Sequence, residues 1–130
     1  YDLMQYQIGS CQRSDIAVTV AAPIAEIDHH QDSLLVHCGA VHLSKDQLKH
    51  DEYGEIFGLP VKVNRDKNRQ ITGWTEPLPG SFVSALSQEH GTIQMDSDEL
   101  KKFSPGDIIG ILPVHSCLTA NLMKGREVII

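Results

Sequence analysis

The residues best suited to chemistry are His115 and Cys117, with Ser116 between them. Side chains two apart on an extended chain point the same way, so an imidazole nitrogen and a thiolate at this spacing can grip one borderline metal ion such as zinc. Two ligands leave a site incomplete. A structural zinc takes four closed positions, so the remaining donors must come from substrate, water or another chain, which describes a catalytic metal better than a structural one. The plain alternative is a small buried cysteine beside an unrelated histidine. A nucleophilic Cys117 with His115 as its base is weaker, because no orienting acid or oxyanion donor is evident beside the pair.

A second cluster, Gln88-Glu89-His90-Gly91, falls between two expected strands. A carboxylate next to an imidazole on a loop can do acid–base work or orient a substrate, which makes Glu89 and His90 candidate catalytic residues. The competing reading is a tight turn in which Gly91 supplies a positive φ and its polar neighbours face water. Asp28-His29-His30 lacks the further acidic motifs that a metal-dependent phosphoesterase needs, and it reads as a surface loop. His37, Cys38 and His42 have the composition of a metal site, but adjacent residues on a strand diverge, so they read as core or surface residues. The chain carries neither a phosphate-cradling glycine loop nor a Gly-x-Ser-x-Gly elbow.

The elements that must position these residues read mostly as short strands. Tyr1 to Ser10, Asp15 to Ile27 and Ser33 to Leu43 have strand character, and Gly39 within the last suggests a bulge or the close approach of another backbone. Ser44 to Glu55 is charged and admits a short helix. Val61 to Val63 and Ile71 to Trp74 flank a polar hairpin connection, and Ser81 to Leu86 pairs naturally with Thr92 to Met95. Asp96 to Phe103 is the clearest helix, with a capping acid first and lysines last. Ile108 to Val114 is a fully apolar strand, and Arg126 to Ile130 reads as another. The expected fold is all-β, with one short helix, as an antiparallel β-barrel or sandwich in a single domain over residues 1–130.

Composition bounds the remaining choices. With 41% hydrophobic and 22% charged residues, the chain can bury one core. The net charge of −6, with no basic stripe, argues against a nucleic-acid surface. Three cysteines, an odd number, make a disulfide framework unsuited and favour a reducing cytoplasm. No apolar run reaches membrane-spanning length, and no secretory leader is visible. The start at Tyr1, inside an expected strand, suggests a piece cut from something longer.

Several segments, taken in order, resemble the C-terminal domain of the D-serine dehydratase and D-threonine aldolase family. They are Tyr1 to Gln5 with Ile8 to Cys11, His37 to Asp46, Gln88 to Gly91, and Pro105 to Asp107 leading into Leu112 to Leu122. The similarity runs from end to end of the chain, and Pro113-Val114-His115-Ser116-Cys117 with Asn121-Leu122 is its strongest part. The resemblance implies an alanine-racemase-like enzyme in which an N-terminal α/β barrel, absent here, carries the lysine that binds pyridoxal phosphate (PLP). Lys45 and Lys62 match no such lysine motif. It further implies that His115 and Cys117 are the family's metal pair, for zinc or another divalent ion, and that Glu89 and His90 belong to an active-site or subunit-boundary loop. Cysteine at position 117 tilts the expectation towards dehydration of a β-hydroxy D-amino acid such as D-serine, with D-threonine-aldolase-type cleavage as the alternative. The expected partners are the barrel domain and a small D-amino-acid substrate; a homodimer stays open. A stand-alone metal- or partner-binding β module is the non-enzymatic alternative.

Overall fold

The computed structural model describes residues 1–126. In chain order its elements are helix α1 (Leu3–Gln7), a 3-10 turn (Arg13–Asp15), strands β1 (Val20–Asp28) and β2 (Ser33–Val36), helix α2 (Ala40–Leu43), strands β3 (Leu48–His50), β4 (Gly54–Ile56), β5 (Gly58–Arg65), β6 (Ile71–Pro77), β7 (Phe82–Leu86) and β8 (Gly91–Gln94), helix α3 (Ser97–Leu100), strand β9 (Ile108–Pro113) and helix α4 (Ser116–Leu122). Seven strands form one sheet in the order β6-β5-β9-β1-β2-β8-β7, every neighbouring pair antiparallel. The β3–β4 hairpin stands apart from it.

The antiparallel, β-rich expectation holds, and the closed-barrel version of it is corrected. Strands β6 and β7 end the sheet without pairing to each other, so the sheet is open. Twist and bulges, at Ile24/Glu26 in β1 and Val83/Ala85 in β7 among others, curl it instead. The curl brings Phe57, which precedes β5, against β7, where its N–H donates to the Val83 carbonyl at 3.0 Å.

Strand β9 explains the arrangement of the interior. It lies between β5 and β1, and its side chains alternate between two cores. Ile109 and Ile111 join Val20, Ala22, Ile24 and Ile93 on one face. Leu112 and Val114 join Leu3, Ile16, Leu48 and Ile56 on the other, under α1 and the β3–β4 hairpin. A strand buried on both faces reads as an unbroken apolar run, which is why Ile108 to Val114 was legible.

The helices depart most from expectation. Helix α3 starts where capping chemistry placed it, with Asp96 Oδ1 accepting from the Asp98 N–H at 2.9 Å, but it ends at Leu100, short of the expected Lys101, Lys102 and Phe103. The strand expected over Tyr1–Ser10 is instead helix α1, and the strand expected over Ser33–Leu43 stops at Val36 before α2. The helix admitted over Ser44–Glu55 is the β3–β4 hairpin. The expected single helix is therefore four short α-helices among the described residues. The strand expected over Arg126–Ile130 lies, beyond Arg126, outside the described residues.

Candidate functional site

Strand β9 delivers the first candidate pair to the surface. Val114 is buried, His115 is half-buried, and Cys117 is exposed. The two do not sit on one strand, as their spacing suggested. His115 has extended backbone angles and is the N-cap of α4, while Ser116 and Cys117 are already helical. The pair is thus presented by a strand-to-helix junction, where side-chain directions no longer follow the two-residue alternation.

Two carboxylates hold that junction. Asp46 Oδ2 lies 2.9 Å from His115 Nδ1. Asp2, itself buried, accepts through Oδ2 from the Ser116 N–H at 2.8 Å and from the Ser116 hydroxyl at 2.9 Å. Its other oxygen, Oδ1, accepts from the Gln5 N–H at 3.0 Å and caps α1. One carboxylate therefore satisfies orphan N–H groups at the starts of two helices. Burial pushes the Asp2 carboxyl upward, but hydrogen bonds from the Ser116 backbone, the Gln5 backbone and the Ser116 hydroxyl, together with the nearby His115, outweigh it and leave the group below its ordinary value.

The second candidate cluster is close-packed rather than open. The Glu89 side chain is exposed and His90 half-buried at the turn between β7 and β8. A side chain at Gly39 would meet the Gln88 carbonyl oxygen and the His90 nitrogen at 2.5 Å, and one at Gly91 would meet the Cys38 carbonyl oxygen at 2.7 Å. Gly39 is thus the close backbone approach that its place in the sequence suggested. Gly91 corrects the expectation of a positive φ: it does not appear in that region, and its role is to leave room for Cys38. Across this contact the Ala40 N–H donates to the Ser87 carbonyl at 2.9 Å and the Val41 N–H to the Gln88 carbonyl at 3.1 Å, so the loop forms the seat of α2.

Three imidazoles gather at the seat. The His37 ring meets those of His42 and His90 edge-on, with centroids 5.8 and 5.2 Å apart. His42 is buried, its Nδ1 accepts from the Gly39 N–H at 3.1 Å, and burial followed by the neighbouring His37 lowers its pKa. Cys38 is buried, and desolvation pushes its thiol up to about 12. Asp28, His29 and His30 form a surface turn in which Asp28 Oδ1 accepts from the His30 N–H at 2.9 Å. Among the described residues no group of three or more His, Cys, Asp or Glu side chains is arranged to hold a metal ion. The His115–Cys117 pair offers two donors whose chemistry suits zinc, and the rest of such a site would have to come from elsewhere.

The residues missed by their spacing alone are Asp46 and Asp2. Asp46 stands in the His37–Asp46 segment without a reason to single it out, because its partner is 69 positions away. Asp2 was easier: an acid three residues before Gln5 is an N-cap signature. Two surface clefts, of about 400 and 520 Å³, lie elsewhere, one beside Arg13 and β6 and the other beside Lys62 and Phe103. No described helix is long and apolar enough to cross a membrane.

Comparison with known proteins gives a consistent answer. The family described as "Putative serine dehydratase domain" matches residues 17–129. D-serine dehydratase of Dictyostelium discoideum is 35% identical over 99% of this chain, and D-threo-3-hydroxyaspartate dehydratase of Delftia sp. (strain HT23) is 28% identical over 92%. The chain spans 31% and 30% of those two relatives. An uncharacterised protein of Mycobacterium bovis is 26% identical, and there the chain spans 84% of the relative. Among solved structures, an alanine-racemase-like protein of Idiomarina loihiensis superposes with a TM-score of 0.74 at 28% identity, over 94% of this chain and 31% of that one. The Delftia enzyme superposes with a TM-score of 0.70 at 23% identity, over 94% of this chain and 31% of that one.

Proposed function

The chain belongs to the serine dehydratase domain family, and from that membership we infer that it is the metal-ligand-bearing C-terminal β domain of a PLP-dependent lyase acting on a β-hydroxy D-amino acid such as D-serine. The observation that carries this reading is where the surface is apolar. The exposed large hydrophobics among the described residues are Tyr1, Tyr6, Ile8, Val41, Leu118 and Leu122. All lie on, or within two residues of, α1, α2 and α4. These helices meet at His115 and Cys117: Asp2 holds Ser116, the Met4 N–H donates to the Val114 carbonyl at 3.2 Å, and α2 packs on α4. An incomplete donor pair at the junction of helices that carry unburied apolar side chains suits a face that a larger catalytic domain covers.

His115 and Cys117 would hold the metal, and a zinc ion there would supply Lewis acidity at a substrate hydroxyl. This chain's share is to fix the two donors: the junction of β9 with α4 presents them, Asp2 secures the start of that helix, and Asp46 orients the imidazole. Variants of the Delftia dehydratase support the assignment. One replaces a histidine by alanine, another replaces a cysteine two positions further on, and the latter is described as metal-free. PLP would reside on the barrel domain, and the isolated chain would be inert. Glu89 and His90 would border the active site from the seat of α2. The free thiols Cys11, Cys38 and Cys117 suit a reducing cytoplasm.

The test is zinc and PLP stoichiometry on this chain and on a parent containing the preceding domain. Zinc and PLP in the parent, with no PLP in this chain, supports the reading, as does metal loss in parents carrying His115→Ala or Cys117→Ala. Unchanged metal content and turnover in both variants sinks it. Ammonia and a keto acid as products separate dehydration from aldol cleavage, which gives glycine and an aldehyde. A second reading, a stand-alone metal- or partner-binding module, draws on the Mycobacterium relative that the chain nearly spans; tight stoichiometric zinc in this chain alone would favour it.

A further inference from the structure

Asp46 is tied to the imidazole of His115 from a segment with no sequence proximity to it, and the tie has a chemical consequence. A carboxylate only accepts hydrogen bonds, so the ring nitrogen facing it must carry the proton. Here that nitrogen is Nδ1, at 2.9 Å from Asp46 Oδ2. In the neutral ring the lone pair then belongs to Nε2, on the other side of the imidazole.

We propose that Asp46 is a positioning residue that holds His115 in the Nδ1-protonated form and presents Nε2 as its ligand atom. The proposal rests on the reading of His115 as a metal donor. A carboxylate behind a ligating histidine fixes the ring's orientation and raises its basicity, and loss of such a partner costs 10- to 100-fold in metal affinity.

The carboxylate is itself held in place. The Asp46 N–H donates to Ser44 Oγ at 3.2 Å, and Ser44 ends α2 with its N–H on the Ala40 carbonyl at 3.0 Å. Helix α2 begins at Gly39, pressed on the Gln88–His90 backbone. A chain of short contacts therefore runs from the Gln88–Gly91 loop through α2 and Ser44 to Asp46 and on to His115. The loop that sequence spacing marked as catalytic has a structural duty towards the other candidate site. Asp46 and His115 are both about one-third exposed, so replacing Asp46 disturbs no core packing.

The experiment is nitrogen-resolved NMR of the imidazole rings in the ¹⁵N-labelled full chain, at about pH 8, above the ordinary histidine range, before and during titration with zinc sulfate. His115→Gln assigns the signals. The wild type is expected to carry the proton on Nδ1 and to take zinc at Nε2. Asp46→Ala should release the proton to exchange between the two nitrogens and weaken zinc binding roughly 10- to 100-fold. Asp46→Asn, whose amide oxygen still accepts, should fall between them. Zinc on Nδ1, or a protonation pattern and affinity unchanged in Asp46→Ala, overturns the proposal. If the wild type takes up no zinc at any concentration, the pair requires donors from outside this chain and the metal reading is decided by the parent's metal content, while an Nδ1 proton that is lost in Asp46→Ala still upholds the hold of Asp46 on the ring and one that is unchanged there overturns it.

Discussion

At the end of β9 the His115–Cys117 junction is tied down by side-chain hydrogen bonds from residues 69 and 114 positions away, whereas the Gln88–Gly91 loop is locked by two glycines that leave no room between backbones. The first region keeps its donors at the surface and can be loosened one polar contact at a time. The second has little tolerance, because a single methyl group at Gly39 would overlap three successive residues of the facing loop. The difference separates duties: the junction presents groups to something outside the chain, and the loop with α2 supplies the rigid base from which one of those groups is aimed.

The sharpest contrast lies in the cysteines of the two regions. Cys38, beside Gly39, has its thiol pushed from 9.0 to about 12 by burial, and Cys117 is exposed. Burial therefore keeps the Cys38 thiol protonated at neutral pH as well as out of reach. A neutral disulfide reagent should therefore modify Cys117 in the native chain and reach Cys38 only on unfolding; rapid native labelling of Cys38 would show that the loop region opens freely.

Gly39→Ala should break the packed region. Overpacking against backbone that cannot yield is expected to cost about 3 kcal/mol, seen as a lower urea midpoint. Because α2 carries the strain towards Asp46, the His115 ring signals should also shift, whereas a purely local effect would leave them in place. Asp2→Ala should loosen the junction instead. It removes the caps of α1 and α4 together, for about 2 kcal/mol. The pH dependence has a definite sign: the folded carboxyl lies below its ordinary value of 3.8, so its stabilisation is present above that pH and is lost as pH falls through the folded value. Asp2→Asn should lack this acid-side loss, and an unchanged acid limb would contradict the double-cap assignment.

The smallest change is expected for Glu89→Gln and His90→Asn. The loop is closed by backbone and Ser87 contacts, with the His90 N–H donating to Ser87 Oγ at 3.1 Å, so stability should move by less than about 0.5 kcal/mol. In a parent enzyme, a turnover loss without a stability loss would then assign these side chains to chemistry. Full turnover in both would leave the loop as the seat of α2 alone.

Local signals were enough for much of the sheet. The apolar run of β9, the β5–β6 and β7–β8 hairpins, the cap of α3 and the close approach at Gly39 could all be read from the chain, because their causes are neighbouring residues: alternation, turn residues and a capping acid. The types and spacing of His115, Cys117, Glu89 and His90 were equally plain. Only the tertiary structure decided the rest. Helix α4 is built from residues with no side-chain cap of their own, and its start is satisfied by Asp2 from the far end of the chain, so nothing local announces it. The open, curled sheet depends on which strands end it, and the role of Asp46 depends on α2 folding back over the β7–β8 turn. Those outcomes are set by contacts between residues distant in sequence, which periodicity and spacing do not encode.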